Sequence, residues 1–335
     1  MFALSFPDIY YFCRMNRFMY TLLLFAVVCF KSYCQETDLA PTYQTVLMNN
    51  PAMAGSGESG MLRLSYLNFY PGNGYNLHSM YLSYDSYFEA INGGAALYIT
   101  NDYLGGHINN IRGGVSYSYF LQAGEDLFIN AGLTASVFHQ GFNFANAVLP
   151  DQIDAVRGVV YTSSEALASY GRTVFDVGTG FVIKSGKISG GLAVLHLSEP
   201  DLSMREMQKE IIKRKLYMHL CGDFPVGYQK KFYLRPIAFS SVQDGFFIAG
   251  GGTSFENEYI GISAMTMSNN AGNLNFQTGF SLGIGSLRFN YSYRFNVISD
   301  NALLPLSLLH QAGIAIKINN FDKKIKNNTI NFPEL

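Results

Sequence analysis

The clearest catalytic pattern in this chain is Gly279 to Gly283, which matches the G-x-S-x-G motif of serine hydrolases around Ser281. In those enzymes the serine stands on a sharp strand-to-helix turn that exposes its hydroxyl as a nucleophile. Ser281 instead lies within a run of alternating apolar and polar residues, and no helical pattern follows it. We therefore predict a structural role for Ser281, assign no catalytic residue and expect a protein that is not an enzyme.

Residue types that hold metals or cofactors are present without the spacing that such sites need. The histidines are His78, His107, His139, His196, His219 and His310. They occur singly, without the H-E-x-x-H spacing of a zinc site. Gly250 to Gly252 lacks the Lys-Ser/Thr pair of a phosphate-binding loop. We predict neither a metal site nor a cofactor.

The segments that carry these residues follow a two-residue period. From Leu287 to Val297, apolar residues alternate with polar or charged residues without a break, as in a strand with one apolar and one polar face. Leu127 to Val137 and Leu274 to Leu282 show the same alternation. About fourteen such runs follow one another, separated by Gly, Asn, Asp or Ser clusters. Their centres are near Leu64, Leu82, Leu97, Val115, Leu133, Phe181, Val194, Met218, Leu234, Ala249, Ile262, Phe276, Tyr291 and Ile314.

This pattern predicts an all-β fold, a transmembrane antiparallel β-barrel of a bacterial outer membrane. We expect about 14 strands, with about 12 to 16 allowed, whose polar faces line a lumen and whose apolar faces meet lipid. Charged residues make up 14% of the chain, well below the usual share of about 25% in soluble domains. A soluble sandwich or propeller would also alternate, but its surface would need more charge.

The connections between the runs are alternately long and short. Gln140 to Gly171 and Ser198 to Ile211 are long, whereas Lys184 to Lys187 and Gly283 to Ser286 are tight. Outer-membrane barrels have long outer loops and short periplasmic turns. The alternation therefore predicts an even strand count with both ends of the barrel in the periplasm. In the second long loop, Ser203 and Glu206 have the spacing of a capping box, which predicts a short helix through about Lys213.

The ends of the chain divide into predicted segments. Residues 1–34 have the pattern of a signal peptide, because basic residues precede an apolar run. That run is shorter than the ~20 residues that a membrane-spanning helix needs. Met15 is the alternative start of the signal peptide. We predict that residues 35–58 form an N-terminal periplasmic or lumen-entering segment, 59–318 the β-barrel, and 319–335 a periplasmic tail. We interpret the tail as a disordered end, with a docking peptide as the alternative. Loss of residues 1–34 changes the net charge from −1 to −3, because three basic residues and one acidic residue are removed. That charge does not favour nucleic acid as a partner.

Several strand positions carry charge, which we expect to face the lumen because Arg or Lys on the lipid face at mid-membrane costs about 2–4 kcal/mol. The main candidates are Arg63, Arg288, Arg294 and Asp85. Arg112, Arg235, Asp176 and Asp223 belong to the same group. Two interpretations remain open: a network that holds the N-terminal segment, or the lining of a water channel.

Short motifs along the chain resemble one family. Tyr43 to Ser56 contains Asn50, Pro51 and Ala52 and ends in an Ala-Gly-Ser sequence around Gly55. Further matches are Ser83-Tyr84-Asp85, Asn101-Asp102 with Gly105, Ser116 to Tyr119, and Tyr291 to Asn296. In their order and spacing these motifs resemble the PorP/SprF family of type IX secretion system membrane proteins, over nearly the whole mature chain.

The resemblance implies a non-enzymatic outer-membrane component that assists the export or cell-surface anchoring of cargo with C-terminal sorting signals. It also implies other type IX subunits and a secreted cargo or adhesin as partners, in Gram-negative bacteria of the Bacteroidota, some of which glide. A diffusion channel or a hydrophobic-solute transporter is the alternative function, with the inward arginines and the N-terminal segment forming a gated pore.

Overall fold

A computed structural model describes residues 44–57, 59–71, 77–143, 152–154, 158–159, 170–203, 209–227, 231–298, 307–318 and 330. The predicted signal peptide lies outside these residues, as does every position of the predicted tail except Ile330. No helix in the described ranges is long and apolar enough to cross a membrane.

Fourteen long strands form the wall of the barrel. They are β1 (Gly60–Phe69), β2 (Leu77–Phe88), β3 (Gly93–Leu104), β4 (Ile108–Gln122), β5 (Leu127–Phe142), β6 (Tyr170–Ser185), β7 (Ile188–Leu195), β8 (Lys215–Gly222), β9 (Phe232–Gln243), β10 (Phe246–Glu256), β11 (Ile260–Asn269), β12 (Leu274–Ile284), β13 (Leu287–Ile298) and β14 (Ser307–Ile318). Each predicted centre lies in its own strand, so the predicted number of strands is confirmed.

Every strand pairs antiparallel with its neighbours in the sequence, and the first strand pairs with the last. Gly60 at the start of β1 lies opposite Ile318 at the end of β14, while β8 pairs with β9 on the other side of the barrel. A short strand, Phe224–Val226, continues β8 along β9. The sheet is therefore closed and leaves no free edge, which a barrel in lipid requires.

The strands form where the sequence alternates, because successive side chains point to opposite sides of the sheet. On β5, Leu133 is 63% exposed on the outer surface, whereas Asn130 is fully buried on the inner one. β13 repeats this arrangement, with Phe289 outside and Arg294 inside. The exposed apolar belt follows the same parity around the wall, which confirms the predicted outer-membrane barrel.

The turns at one rim are short. Only Gly186 and Lys187 separate β6 from β7, and only Gly285 and Ser286 separate β12 from β13. Gly186 and Gly285 have φ values of 55° and 61°, in the left-handed region that favours glycine. β1 begins and β14 ends at this same rim, so both ends of the wall lie beside the short turns.

The predicted helix after Ser203 is wrong for the described part of that loop. Leu202 N donates to Glu210 O at 2.9 Å, and Ile212 N donates to Pro200 O at 3.0 Å. The backbone thus forms a small antiparallel pair between β7 and β8 instead of helical turns. Ser203 Oγ accepts from Glu210 N at 2.7 Å, which is a long-range bond and not the N-terminal cap that its spacing suggests.

The prediction that polar faces line the whole lumen also needs correction. Strands β8 to β11 turn apolar side chains inward, including Tyr217, Ile237, Phe239, Met265 and Met267. The glycines of β10 make room for them, because a Cβ at Gly250 would come within 3.0 Å of the Phe239 ring. The apolar inward side chains are concentrated on strands β8 to β11, which we call the apolar half of the lumen, although Lys215, His219 and Glu256 also face inward there. Strands β1 to β5 and β12 to β14 turn mainly serines, amides and charges inward, and we call them the polar half.

Candidate functional site: the plug in the barrel lumen

The lumen is filled by residues 44–57, which we call the plug. The plug consists of one helical turn, α1 (Val46–Asn49), followed by a 3-10 turn, Pro51–Met53. All side chains from Gln44 to Ser56 are buried except Met48, which is half-buried.

Asn50 and Pro51 set the local shape of the plug. Asn50 is extended and accepts the backbone N–H of Ala52 on Oδ1 at 2.9 Å, so that it caps the 3-10 turn. Pro51 occupies the first position of that turn, where no N–H is needed and its fixed φ fits. The asparagine-proline-alanine motif therefore encodes a compact turn that can enter a narrow lumen.

A row of small residues on the inner wall receives this turn. Gly94, Ser118, Gly132, Gly180 and Ala193 lie directly opposite one another on β3 to β7, and we call them the small-residue row. A Cβ at Gly94 would collide with the carbonyl of Ala54, one at Gly132 with the backbone of Ala52, and one at Gly180 with Asn50. The plug thus crosses β6, β5, β4 and β3 in turn while in backbone contact with the wall.

Wall side chains hydrogen-bond the plug along this path. Ser118 Oγ donates to Ala52 O at 2.9 Å, and Asn50 Nδ2 donates to Phe181 O at 3.2 Å. On the opposite wall, Gln44 Nε2 donates to Asn290 Oδ1 at 3.0 Å. Buried polar groups need such partners, so the polar half of the lumen satisfies the plug's backbone turns.

The apolar side of the plug faces the apolar half of the lumen. Val46, Leu47 and Met53 form one buried cluster with wall residues that include Tyr217 and Met265. The two halves of the lumen therefore match the two sides of the plug.

Two of the predicted lumen charges meet at the plug. Arg63 on β1 and Asp85 on β2 form a buried ion pair. Asp85 Oδ2 also accepts the backbone N–H of Gly55 at 2.9 Å. Gly55 has a φ of 66° and lies against Gly94 and Ser86 so closely that a side chain would not fit. Of the two interpretations given above, this geometry favours the network that holds the N-terminal segment.

The other two predicted charges face inward and form hydrogen bonds with wall elements. Arg294 Nε donates to Gln277 Oε1 at 2.9 Å on the neighbouring strand. Arg288 Nη2 donates to the carbonyls of Asn257 at 2.9 Å and Glu258 at 3.0 Å, and so holds the turn between β10 and β11. These arginines connect wall elements to one another.

The remaining strand charges also bind within the wall. Arg112 lies 4.9 Å from the ring centroid of Phe138. Arg235 pairs with Asp223, at 3.1 Å between Nε and Oδ1, and with Glu256. None of these contacts involves the plug.

The hydrolase reading of Ser281 has no support in the geometry. Ser281 is buried in the middle of β12, accepts a hydrogen bond from Arg288 Nη1 at 3.2 Å, and is followed by more strand. Asp176, His196 and Ser198, a group that the sequence did not reveal, do meet at the outer rim. His196 Nδ1 lies 2.6 Å from Asp176 Oδ2, but Ser198 donates to the aspartate at 2.9 Å. A nucleophilic serine would bond to the histidine.

Possible metal ligands do not cluster either. Within the described ranges, no group of three or more His, Cys, Asp or Glu side chains lies close enough to hold a metal ion. Cys221 is a free thiol buried in the apolar half of the lumen.

The row of small residues was missed by the sequence reasoning, although a signal existed. Gly132 shares the inward parity of Asn130 and Thr134, and Gly94 and Gly180 have inward parity on their own strands. Inward glycines on neighbouring strands indicate that something approaches the backbone closely. Their alignment into one row depends on the register between strands, which cannot be read from the sequence alone.

Solved structures of similar shape are outer-membrane barrels. Omp33 of Acinetobacter baumannii has a TM-score of 0.46 at 8% identity, covering 79% of this chain and 100% of that one. A Pseudomonas aeruginosa FadL homologue has 0.48 at 11%, covering 84% and 95%. The Pseudomonas putida toluene transporter TodX has 0.44 at 10%, covering 83% and 93%. A search of curated proteins finds no significant match.

One family model does match this sequence. It is described as type IX secretion system membrane protein PorP/SprF and matches residues 38–311. The match includes the plug and nearly all of the barrel, and it agrees with the motifs around Asn50 and Asp85. The chain belongs to the PorP/SprF family of type IX secretion system membrane proteins and is an outer-membrane β-barrel.

Proposed function

We propose that this barrel is an accessory subunit of the type IX secretion machinery that assists the export or cell-surface anchoring of cargo proteins with C-terminal sorting signals. It acts by binding and catalyses no reaction. Its outer wall is in contact with outer-membrane lipid, and its rims contact other type IX subunits and a secreted cargo or adhesin. Family membership supports a role in type IX secretion. The occupied lumen supports a role that depends on binding to other proteins instead of solute transport.

The observation that carries this proposal is the filled lumen. The plug is buried from Gln44 to Ser56 and is held by glycine contacts, hydrogen bonds and an ion-paired carboxylate. A steady solute path would require this segment to leave. If the interior is closed in this way, the rims and loops of the barrel are the surfaces that can bind partner proteins.

The outer rim offers such a surface in the connection between β7 and β8. Pro200 to Leu202 pairs with Glu210 to Ile212, which gives the described part of this loop a defined backbone shape. Arg172 Nε donates to Asp201 O at 3.2 Å and joins the loop to β6. A loop ordered in this way can contact a partner without a large ordering cost.

The alternative function, a diffusion channel or hydrophobic-solute transporter, requires an open or readily opened lumen. The apolar half of the lumen would suit hydrophobic solutes, but in this structure the plug's own Val46, Leu47 and Met53 pack against it. We therefore favour the binding role.

The test is a clean deletion of the gene, followed by quantitative comparison of cell-surface, culture-medium and periplasmic proteins with those of the wild type. We expect one or a few proteins with type IX C-terminal signals to vanish from the surface or to accumulate in the periplasm. Complementation with the wild-type gene should restore them. Unchanged cargo together with a loss of small-solute uptake would refute the proposal and support the channel.

A further inference from the structure

One residue of the C-terminal tail, Ile330, lies against the plug. Its backbone N–H donates to the carbonyl oxygen of Ser56 at 3.0 Å. Its side chain is 5% exposed and belongs to the buried cluster that contains Val46, Met53 and Ala54. At this position the chain departs from the disordered end that the sequence predicts.

The contact lies where the plug leaves the lumen. Ser56 is the last buried residue of the plug, and β1 begins at Gly60. Gly60 lies opposite Ile318, the last residue of β14. Ile330 therefore returns to the rim at which the barrel wall begins and ends.

Two successive plug residues are consequently held from two sides. The wall holds the N–H of Gly55 through Asp85, and the tail holds the carbonyl of Ser56 through Ile330. The Ile330 side chain also shields the apolar cluster between the plug and the lumen wall. Without Ile330, the Ser56 carbonyl would lose this hydrogen bond and part of the apolar cluster would face water. The packing that holds the plug in the lumen would then be weaker.

We propose that Ile330 is a lock on the plug: the plug moves out of the lumen only after Ile330 has left Ser56. The lock couples the position of Ile330 to the state of the lumen. This device does not depend on the secretion role, because it concerns the closure of the barrel alone.

The experiment measures access to a buried plug residue in the full mature chain, folded in lipid. Thr45 is fully buried, so a thiol at Thr45→Cys reacts with a maleimide only when the plug moves. Cys221→Ala supplies the background, because Cys221 is the one cysteine that follows the predicted signal peptide. Three tail variants are compared: Ile330→Asp, which places a charge in the cluster, Ile330→Pro, which removes the N–H donor, and Ile330→Val as the conservative control.

We expect Ile330→Asp to raise the labelling rate at least tenfold and Ile330→Pro to raise it several-fold, while Ile330→Val stays within twofold of the parent. Heat-modifiable migration on a gel shows in each case whether the barrel wall is intact. Labelling rates within twofold of the parent for both Ile330→Asp and Ile330→Pro would overturn the lock. Loss of the folded barrel band in these variants would also overturn it, because Ile330 would then support the wall.

Discussion

The backbone N–H of Gly55 donates to Asp85 Oδ2 at 2.9 Å, and this bond joins the plug to the barrel wall. The other carboxylate oxygen of Asp85 pairs with Arg63 on the adjacent strand. One buried side chain thus links the wall's charge network to the segment that fills the lumen. Plug position and wall stability should therefore respond together when Asp85 is changed.

We predict that Asp85→Asn destabilises the barrel by about 3–5 kcal/mol, because it removes the carboxylate that pairs with the buried Arg63 guanidinium. The asparagine can still accept the Gly55 N–H, but its amide group then faces the arginine. Denaturant unfolding of the lipid-reconstituted protein measures the loss. Asp126→Asn, in the exposed turn between β4 and β5, changes the net charge equally and should have almost no effect. Equal stability of the two variants would contradict this account of Asp85.

The small-residue row predicts that the plug cannot tolerate a methyl group beneath it. Gly132→Ala places a Cβ against the backbone of Ala52, and such overpacking costs about 1–3 kcal/mol. Protease or maleimide access to the plug should rise, while the barrel remains folded. Gly113→Ala on β4 is the matched control, because a Cβ there meets nothing within 4 Å. If the plug stays protected in Gly132→Ala, the close approach of Ala52 to the wall is wrong.

Asn50→Ala should loosen the plug by removing two hydrogen bonds at once. The side chain caps the 3-10 turn through Ala52 N and donates to Phe181 O. Loss of a cap costs about 1 kcal/mol, and the Phe181 carbonyl would lose a buried donor. Hydrogen exchange of the Ala52 amide should accelerate accordingly. An unchanged exchange rate would show that the glycine contacts alone hold this turn.

The outer loop should respond to acid through Asp201, a partly exposed group outside the membrane-spanning strands. Hydrogen bonds from the hydroxyl and the backbone N–H of Ser203 lower the pKa of Asp201 below its ordinary value. Because the folded pKa is depressed, these bonds stabilise the loop at pH values above the ordinary pKa, and this stabilisation is lost as the pH falls through the folded value.

Exchange protection of the Glu210 amide, which donates to Ser203 Oγ at 2.7 Å, provides the measurement. After correction for intrinsic rates, protection should decline on acidification in the wild type. Asp201→Asn should remove this decline, since no carboxylate titrates. A decline of the same size in Asp201→Asn would assign the pH dependence to another group.

The barrel was predictable because its signal is local. Each strand shows its two faces over one run of consecutive residues, as Leu133 and Asn130 do on β5, and the strand count follows from counting such runs. The alternation of long and short connections likewise predicts that both ends of the barrel lie at the rim with the short turns. No distant contact is needed for either inference.

The interior was harder to predict because it depends on contacts far apart in the sequence. Met265 and Met267 face inward on β11, while Ala264 and Thr266 face outward, so polarity alone assigns the wrong faces there. The reason is the plug, because its apolar side packs against these inward methionines. The sequence predicted the inward charges Arg63 and Asp85, but only the register between β1 and β2 brings them together beneath Gly55.

The measurement that tests the closed, contact-based barrel most directly is single-channel conductance in planar bilayers of the full mature chain and of a variant that lacks residues 44–56. We expect the full chain to be silent and the plug-deleted barrel to conduct, because the same wall then surrounds an empty lumen. A steady open conductance from the full chain would contradict the account, since it would show that the plug does not close the lumen and that the barrel acts as a pore.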